Sequence, residues 1–124
     1  EALSRNAKFV TFVENYLGVI KILEKNIKDF KLEKKCKIFE NDILNDLDFK
    51  KLDKKYDLIF LDPPFKEKEL GPLIIKIFDS KILKSEGIII IHRNSKETDF
   101  FPNKLNILEK KTYGISKIFF CNLV

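Results

Sequence analysis

Across residues 8–61 short apolar runs alternate with stretches of helical periodicity, and nothing else in the sequence narrows the fold as far. A strand that leads into a helix and on to another strand closes as a βαβ unit, so this alternation specifies an α/β chain with parallel strands. Residues 9–13 read as the first strand. The apolar positions Tyr16, Ile20, Leu23, Ile27 and Phe30 then recur every three or four residues, which predicts one buried helical stripe. Lys21, Glu24, Lys25 and Lys28 are left facing water, and Asn15 stands where an N-cap belongs. Residues 36–39 read as a second strand, 44–52 as a short helix, and Tyr56–Leu61 as a third strand. That third strand is apolar except for Asp57, which predicts burial on both faces.

The second half changes character. Leu70, Leu73, Ile74, Ile77 and Phe78 mark another amphipathic helix, with Pro72 tolerated in its first turn, where N–H groups have no intrahelical partner. Residues 88–91 make a fourth strand. Runs 105–111 and 115–121 flank Tyr113-Gly114 with no helix between them, so they are expected to pair antiparallel as a terminal hairpin. A doubly wound sheet binds ligands beyond the carboxyl ends of its strands, and the residues that follow each strand are therefore the ones to inspect.

After the first strand stands Glu14, with Asn15 beside it. A carboxylate there can accept from both hydroxyls of a ribose, or it can simply start the next helix, where an acid suits the macrodipole. After the second strand come Asp42 and Ile43. The first can accept from an exocyclic adenine amine while the second packs on the ring; the plainer alternative is an N-cap. After the third strand comes Asp62-Pro63-Pro64-Phe65, the most specific feature of the chain. Two successive prolines fix two φ angles and contribute carbonyls without N–H donors, which makes a rigid turn able to aim an acceptor. Asp62 and the Pro63 carbonyl can together take both hydrogens of a substrate amine, and Phe65 offers a face for a planar base.

Composition bounds the remaining classes. At 124 residues, 44% hydrophobic and 35% charged, the chain is that of one ordinary globular domain. Apolar runs such as 88–91 stop after four residues, far short of a membrane span of roughly 20. No signal peptide is visible at the start, and the two cysteines, Cys36 and Cys121, lack metal or redox spacing, so reduced thiols and a cytoplasmic location are expected. The 24 Lys and Arg exceed the 19 Asp and Glu to give +5, which favours a polyanionic partner without demanding one. The opening EALSRNA reads as the last two turns of a helix, which suggests a piece of a longer protein.

The segments EALSRNAKFVTFVEN at residues 1–15 and YDLIFLDPPF at 56–65, with the closing Tyr113-Gly114 hairpin, resemble the class I S-adenosylmethionine-dependent methyltransferases that modify exocyclic amines. More narrowly, they look like the RsmD family, which methylates guanine N2 in bacterial small-subunit ribosomal RNA. The resemblance implies a Rossmann-like sheet of parallel strands with a C-terminal antiparallel hairpin. Family members carry a first strand and a glycine-rich loop ahead of EALSR; with these missing, residues 1–124 are expected to be a single partial domain that binds the cofactor poorly alone.

By that resemblance Glu14 and Asn15 would serve the ribose of S-adenosylmethionine, Asp42 and Ile43 its adenine, and Asp62, Pro63, Pro64 and Phe65 the target amine. Lys66, Lys68 and Arg93 are candidates for RNA phosphate contacts. The implied partner is 16S ribosomal RNA or the small subunit, met by a monomer that needs neither a metal nor a membrane. Two other readings stand beside it. One is a DNA adenine-N6 or other amine methyltransferase, since the proline turn alone does not distinguish the amines. The other is a non-catalytic module that binds RNA or nucleotides.

Overall fold

The structure, a computed structural model, describes residues 1–64 and 68–124. In chain order its elements are β1 (Val10–Glu14), α1 (Leu17–Asp29), β2 (Cys36–Glu40), β3 (Tyr56–Leu61), α2 (Leu70–Ser80), β4 (Leu83–Asn94), β5 (Leu105–Tyr113) and β6 (Ser116–Leu123). Single 3-10 turns form at Leu3–Arg5, Glu33–Lys35 and Phe49–Lys51. The chain divides into two compact units, Glu1–Leu47 and Asp48–Val124. No helix among the described residues is long and apolar enough to cross a membrane.

In the first unit β1 and β2 pair in parallel, from Val10 opposite Cys36 to Glu14 opposite Glu40. The intervening α1 makes the unit one βαβ crossover. Of the expected stripe, Ile20 is buried and Leu23 and Ile27 are half-buried, whereas Tyr16 and Phe30 are exposed. These two lie just outside α1, as its N-cap and C-cap residues. The opening residues form one 3-10 turn ended by Asn6 at φ 71°, rather than two helical turns.

In the second unit the strand order is β3-β4-β6-β5. β3 runs parallel to β4, while β6 lies antiparallel between β4 and β5. Ile89 and Ile91 of β4 and Cys121 and Phe119 of β6 are cross-strand partners with almost no exposure. With Leu61 and the α2 residues Leu70, Leu73, Ile74 and Ile77 they form the core of this unit. Pro72 sits in the first turn of α2, as its missing N–H requires. β5 and β6 turn through Gly114 and Ile115, and only Gly114 has positive φ, at 56°. A two-residue loop with glycine in its first central position is the type II′ hairpin solution.

Three expectations give way here. The four parallel strands are hydrogen-bonded as two pairs in separate sheets. The helix expected over 44–52 is absent; a turn at 43–46 and the 3-10 turn Phe49–Lys51 take its place. Asp48 Oδ1 accepts the Lys50 N–H at 3.0 Å, so a side chain occupies a donor that a continuous helix would use, whereas the 2.8 Å bond from the Leu44 N–H to Asp42 Oδ1 is one that a helix start also accepts. Finally, β3 is an edge strand with one open face: Leu58 is 52% and Phe60 56% exposed, not buried on both sides.

Candidate active site

The β3–β4 register sets Leu58 beside Ile88 and Leu61 beside Ile91, so Asp62, just past the end of β3, comes next to His92, which is still within β4. His92 Nδ1 lies 2.8 Å from Asp62 Oδ1, and His92 Nε2 lies 2.9 Å from Ser116 Oγ at the start of β6. The Asp62 side chain is 55% exposed and that of His92 22%. Asp62 Oδ2 has no partner among the described residues. Among the described residues the carboxylate is thus anchored by one oxygen alone.

The two proline carbonyls of the turn differ in the same way. Pro64 O accepts from Arg93 Nη1 at 3.1 Å, whereas Pro63 O takes no hydrogen bond from any described residue. An open carboxylate oxygen next to an open carbonyl is a pair of acceptors, the arrangement suited to a planar –NH2.

Arg93 corrects one expectation. It is 4% exposed rather than at the surface, and its Nε donates to Asp99 Oδ1 at 2.7 Å. Lys117 Nζ lies 2.8 Å from Asp99 Oδ2 and also donates to the Glu97 carbonyl. The alternation that places Ile89 and Ile91 inward places Arg93 inward too, and a buried guanidinium needs its donors filled from within. Its role is to support the Asp62–Pro64 turn from below. Lys68 is exposed. Phe65 and Lys66 lie outside the described residues.

In the first unit Glu14 and Asp42 sit at the carboxyl ends of neighbouring strands, linked by the Asn41 N–H donating to the Glu14 carbonyl at 3.1 Å. Glu14 Oε1 accepts the N–H groups of Asn15 and Tyr16, each at 3.0 Å. α1 starts at Leu17 with Tyr16 in the N-cap position and no side chain on its first N–H groups, a correction to Asn15 as the expected N-cap; Glu14 holds the two N–H groups that precede the helix. Asn15 itself is exposed, while Glu14 and Ile43 are half-buried. Oε2 of Glu14 has no partner among the described residues, so the two N–H groups fix the carboxylate through Oε1 alone. Asp42 is more occupied: Oδ1 holds Leu44 N and Oδ2 holds Asn45 Nδ2 at 2.8 Å. A carboxylate offers about four lone-pair sites, so an adenine amine would share rather than displace these contacts.

Ser116 and Asp99 are the residues that sequence reasoning passes over, while His92, at the end of its apolar run, reads from the sequence as a structural histidine or an RNA contact and not as a partner of Asp62. One signal was present. The apolar runs 58–61 and 88–91 are equal in length, and aligning them as neighbouring parallel strands puts Asp62 against His92 directly. Asp99, inside the connection 95–104, gave no comparable sign.

Comparison with known proteins places this geometry. YlbH of Bacillus subtilis, provisionally named an rRNA methyltransferase, is 31% identical over 95% of this chain and 65% of its own length. Ribosomal RNA small subunit methyltransferase D of Haemophilus influenzae is 32% identical over 93% of this chain and 60% of its own length. The chain thus spans under two thirds of these relatives. The crystal structure of a Haemophilus influenzae protein provisionally called a methylase superposes with a TM-score of 0.79 at 28% identity, covering 99% of this chain and 78% of that one. The strand order and hairpin are those of the class I methyltransferase fold. Since the model of the family described as Conserved hypothetical protein 95 matches residues 1–122, the chain belongs to that family, the RsmD family.

Proposed function

We propose that the protein transfers a methyl group from S-adenosylmethionine to the exocyclic N2 of a guanine in bacterial small-subunit ribosomal RNA, working in the cytoplasm as a monomer. The observation that carries the proposal is the half-anchored Asp62, with Oδ1 held by His92 and Oδ2 unpartnered among the described residues beside the open Pro63 carbonyl. Membership of the RsmD family supports the substrate. S-adenosylmethionine, when bound, supplies a methyl group activated by a sulfonium. Glu14 through Oε2 would hold its ribose, and Asp42 and Ile43 its adenine.

Guanine N2 is a poor nucleophile because its lone pair is delocalised into the ring. Accepting one N–H through Asp62 Oδ2 and the other through Pro63 O favours the pyramidal geometry in which that lone pair is available. Positioning accounts for most of the expected acceleration, with the nitrogen held about 3–3.5 Å from the carbon it attacks. As positive charge develops on nitrogen, Asp62 stabilises it, and the proton then leaves to solvent or to Asp62. The base must be unstacked to reach the turn. Phe65 is assigned the stacking contact, and Lys66 and Lys68 the flanking phosphates, from their place in the sequence.

The test is an assay of the intact protein on small-subunit RNA, assembled subunits and duplex DNA, followed by nucleoside analysis. N2-methylguanosine from the RNA or the subunit is the expected product. N6-methyladenine from DNA alone would replace this reading with the DNA enzyme, and no methylated product would leave a binding module.

A further inference from the structure

Asp62 is exposed enough to sample several rotamers, so a turn that works by aiming its carboxylate needs something to hold it. We infer that His92 is a positioning residue for Asp62, its ring anchored from the other side by Ser116. This rests on the reading of Asp62 as the group that receives the amine. A carboxylate only accepts, so the 2.8 Å contact requires His92 Nδ1 to carry the hydrogen. The Nε2 of a neutral ring is then an acceptor, and the Ser116 hydroxyl at 2.9 Å donates to it. Ser116 is itself fixed, paired with Asn94 of β4 and Tyr113 of β5, and next to Ile115, whose carbonyl accepts the Ser95 N–H at 2.8 Å. Two hydrogen bonds through His92 thereby tie Asp62 to the β5–β6 hairpin.

The same three residue types in the same order perform acyl transfer in serine hydrolases. Here the exposure runs the other way. Solvent reaches the carboxylate end, while Ser116 is half-buried at the head of a strand. The chain of bonds is built to orient the carboxylate, not to activate the hydroxyl. Arg93 completes the clamp at the far side of the turn, since its bond to Pro64 O fixes that carbonyl and leaves Pro63 O as the open one.

The test uses the intact protein with His92→Leu, His92→Asn and Ser116→Ala, each confirmed by its melting temperature to be folded. His92→Leu is expected to lower kcat by about tenfold to a hundredfold, the scale of a misplacement near 1 Å, with KM for RNA and for the methyl donor within about threefold. His92→Asn is expected to recover most of the loss, because its amide N–H can reach Asp62 much as Nδ1–H does. Ser116→Ala is expected to cost a smaller factor, about twofold to fivefold. Wild-type kcat in His92→Leu, or equal losses in His92→Leu and His92→Asn, would overturn the inference.

A second measurement does not depend on turnover. The ¹⁵N spectrum of the His92 ring, recorded above the pH range in which imidazole titrates, is expected to show a protonated Nδ1 and a bare Nε2, and to lose that preference in Asp62→Ala. A ring protonated on Nε2 would overturn the inference whether or not the protein methylates RNA. A protein that methylates nothing while its spectrum shows the Nδ1–H form would remove the proposed reaction but keep the contact.

Discussion

Arg93 of β4 and Lys117 of β6 are direct cross-strand partners, both buried and both cationic, and Asp99 stands between them with one oxygen on each. Like charges opposite each other destabilise a sheet, and Asp99, paired with both cations, offsets that repulsion although it compensates only one of the two charges. The cluster also reaches the Asp62–Pro64 turn, through the bond from Arg93 to the Pro64 carbonyl.

Asp99→Ala is therefore expected to destabilise the protein by about 3–5 kcal/mol, the cost of leaving buried charge uncompensated. A denaturant midpoint measured against wild type checks this. Replacing all three together, with Arg93→Met, Asp99→Leu and Lys117→Met, is expected to restore much of that stability. Turnover is not expected to return with it, because the Pro64 carbonyl has still lost its donor. A triple variant that is both stable and fully active would show that the cluster serves folding alone.

Substitution can separate the contact Glu14 makes ahead of α1 from the ribose contact proposed for it. Glu14→Gln keeps an oxygen for the Asn15 and Tyr16 N–H groups but gives up the charged acceptor at Oε2. Stability is expected to stay within about 0.5 kcal/mol, since surface changes that spare the hydrogen bonds cost little. Affinity of the intact protein for S-adenosylmethionine is expected to fall about tenfold to a hundredfold, as for a lost hydrogen bond to a charged group. Calorimetric titration and thermal melting of the same sample give both numbers. Unchanged affinity would confine Glu14 to the contact ahead of α1.

The sequence was informative where periodicity and strand ends decide the structure. Both helices, six strands and the hairpin follow from apolar spacing, and Asp62-Pro63-Pro64 from the abrupt end of an apolar run. It was misleading where side chains compete with the backbone. Residues 44–52 carry helix-compatible apolar spacing, yet Asp48 in their midst takes the Lys50 N–H. It was silent on Asp99, whose value comes from two cations brought together by strand pairing that no local pattern announces. Leu58 and Phe60 are apolar in a strand that lies at a sheet edge, and hydrophobicity alone does not reveal position within a sheet.

Cys121, fully buried opposite Ile89, has its thiol pushed up by burial from 9.0 to about 11. The half-buried Cys36 is raised by the same cause. At pH 8 a thiol reagent is expected to modify Cys36 first and to reach Cys121 only as fast as the protein opens. The linkage has a definite sign. The unfolded thiol ionises near pH 9 while the folded one stays protonated to about 11, so its contribution is complete below pH 9 and is lost as pH rises to 11. The slope in that window is at most about 1.4 kcal/mol per pH unit. Comparing wild type with Cys121→Ala isolates it, and parallel pH profiles for the two would refute it.

The most direct measurement is methyl transfer by the intact protein with and without the Asp62 carboxylate. Wild type is expected to convert a guanine of small-subunit RNA to N2-methylguanosine. Asp62→Ala is expected to lower kcat by about a hundredfold or more while RNA affinity stays within a few fold. An Asp62→Ala protein that turns over like wild type, or one whose only defect is weaker RNA binding, would contradict the role given to that side chain.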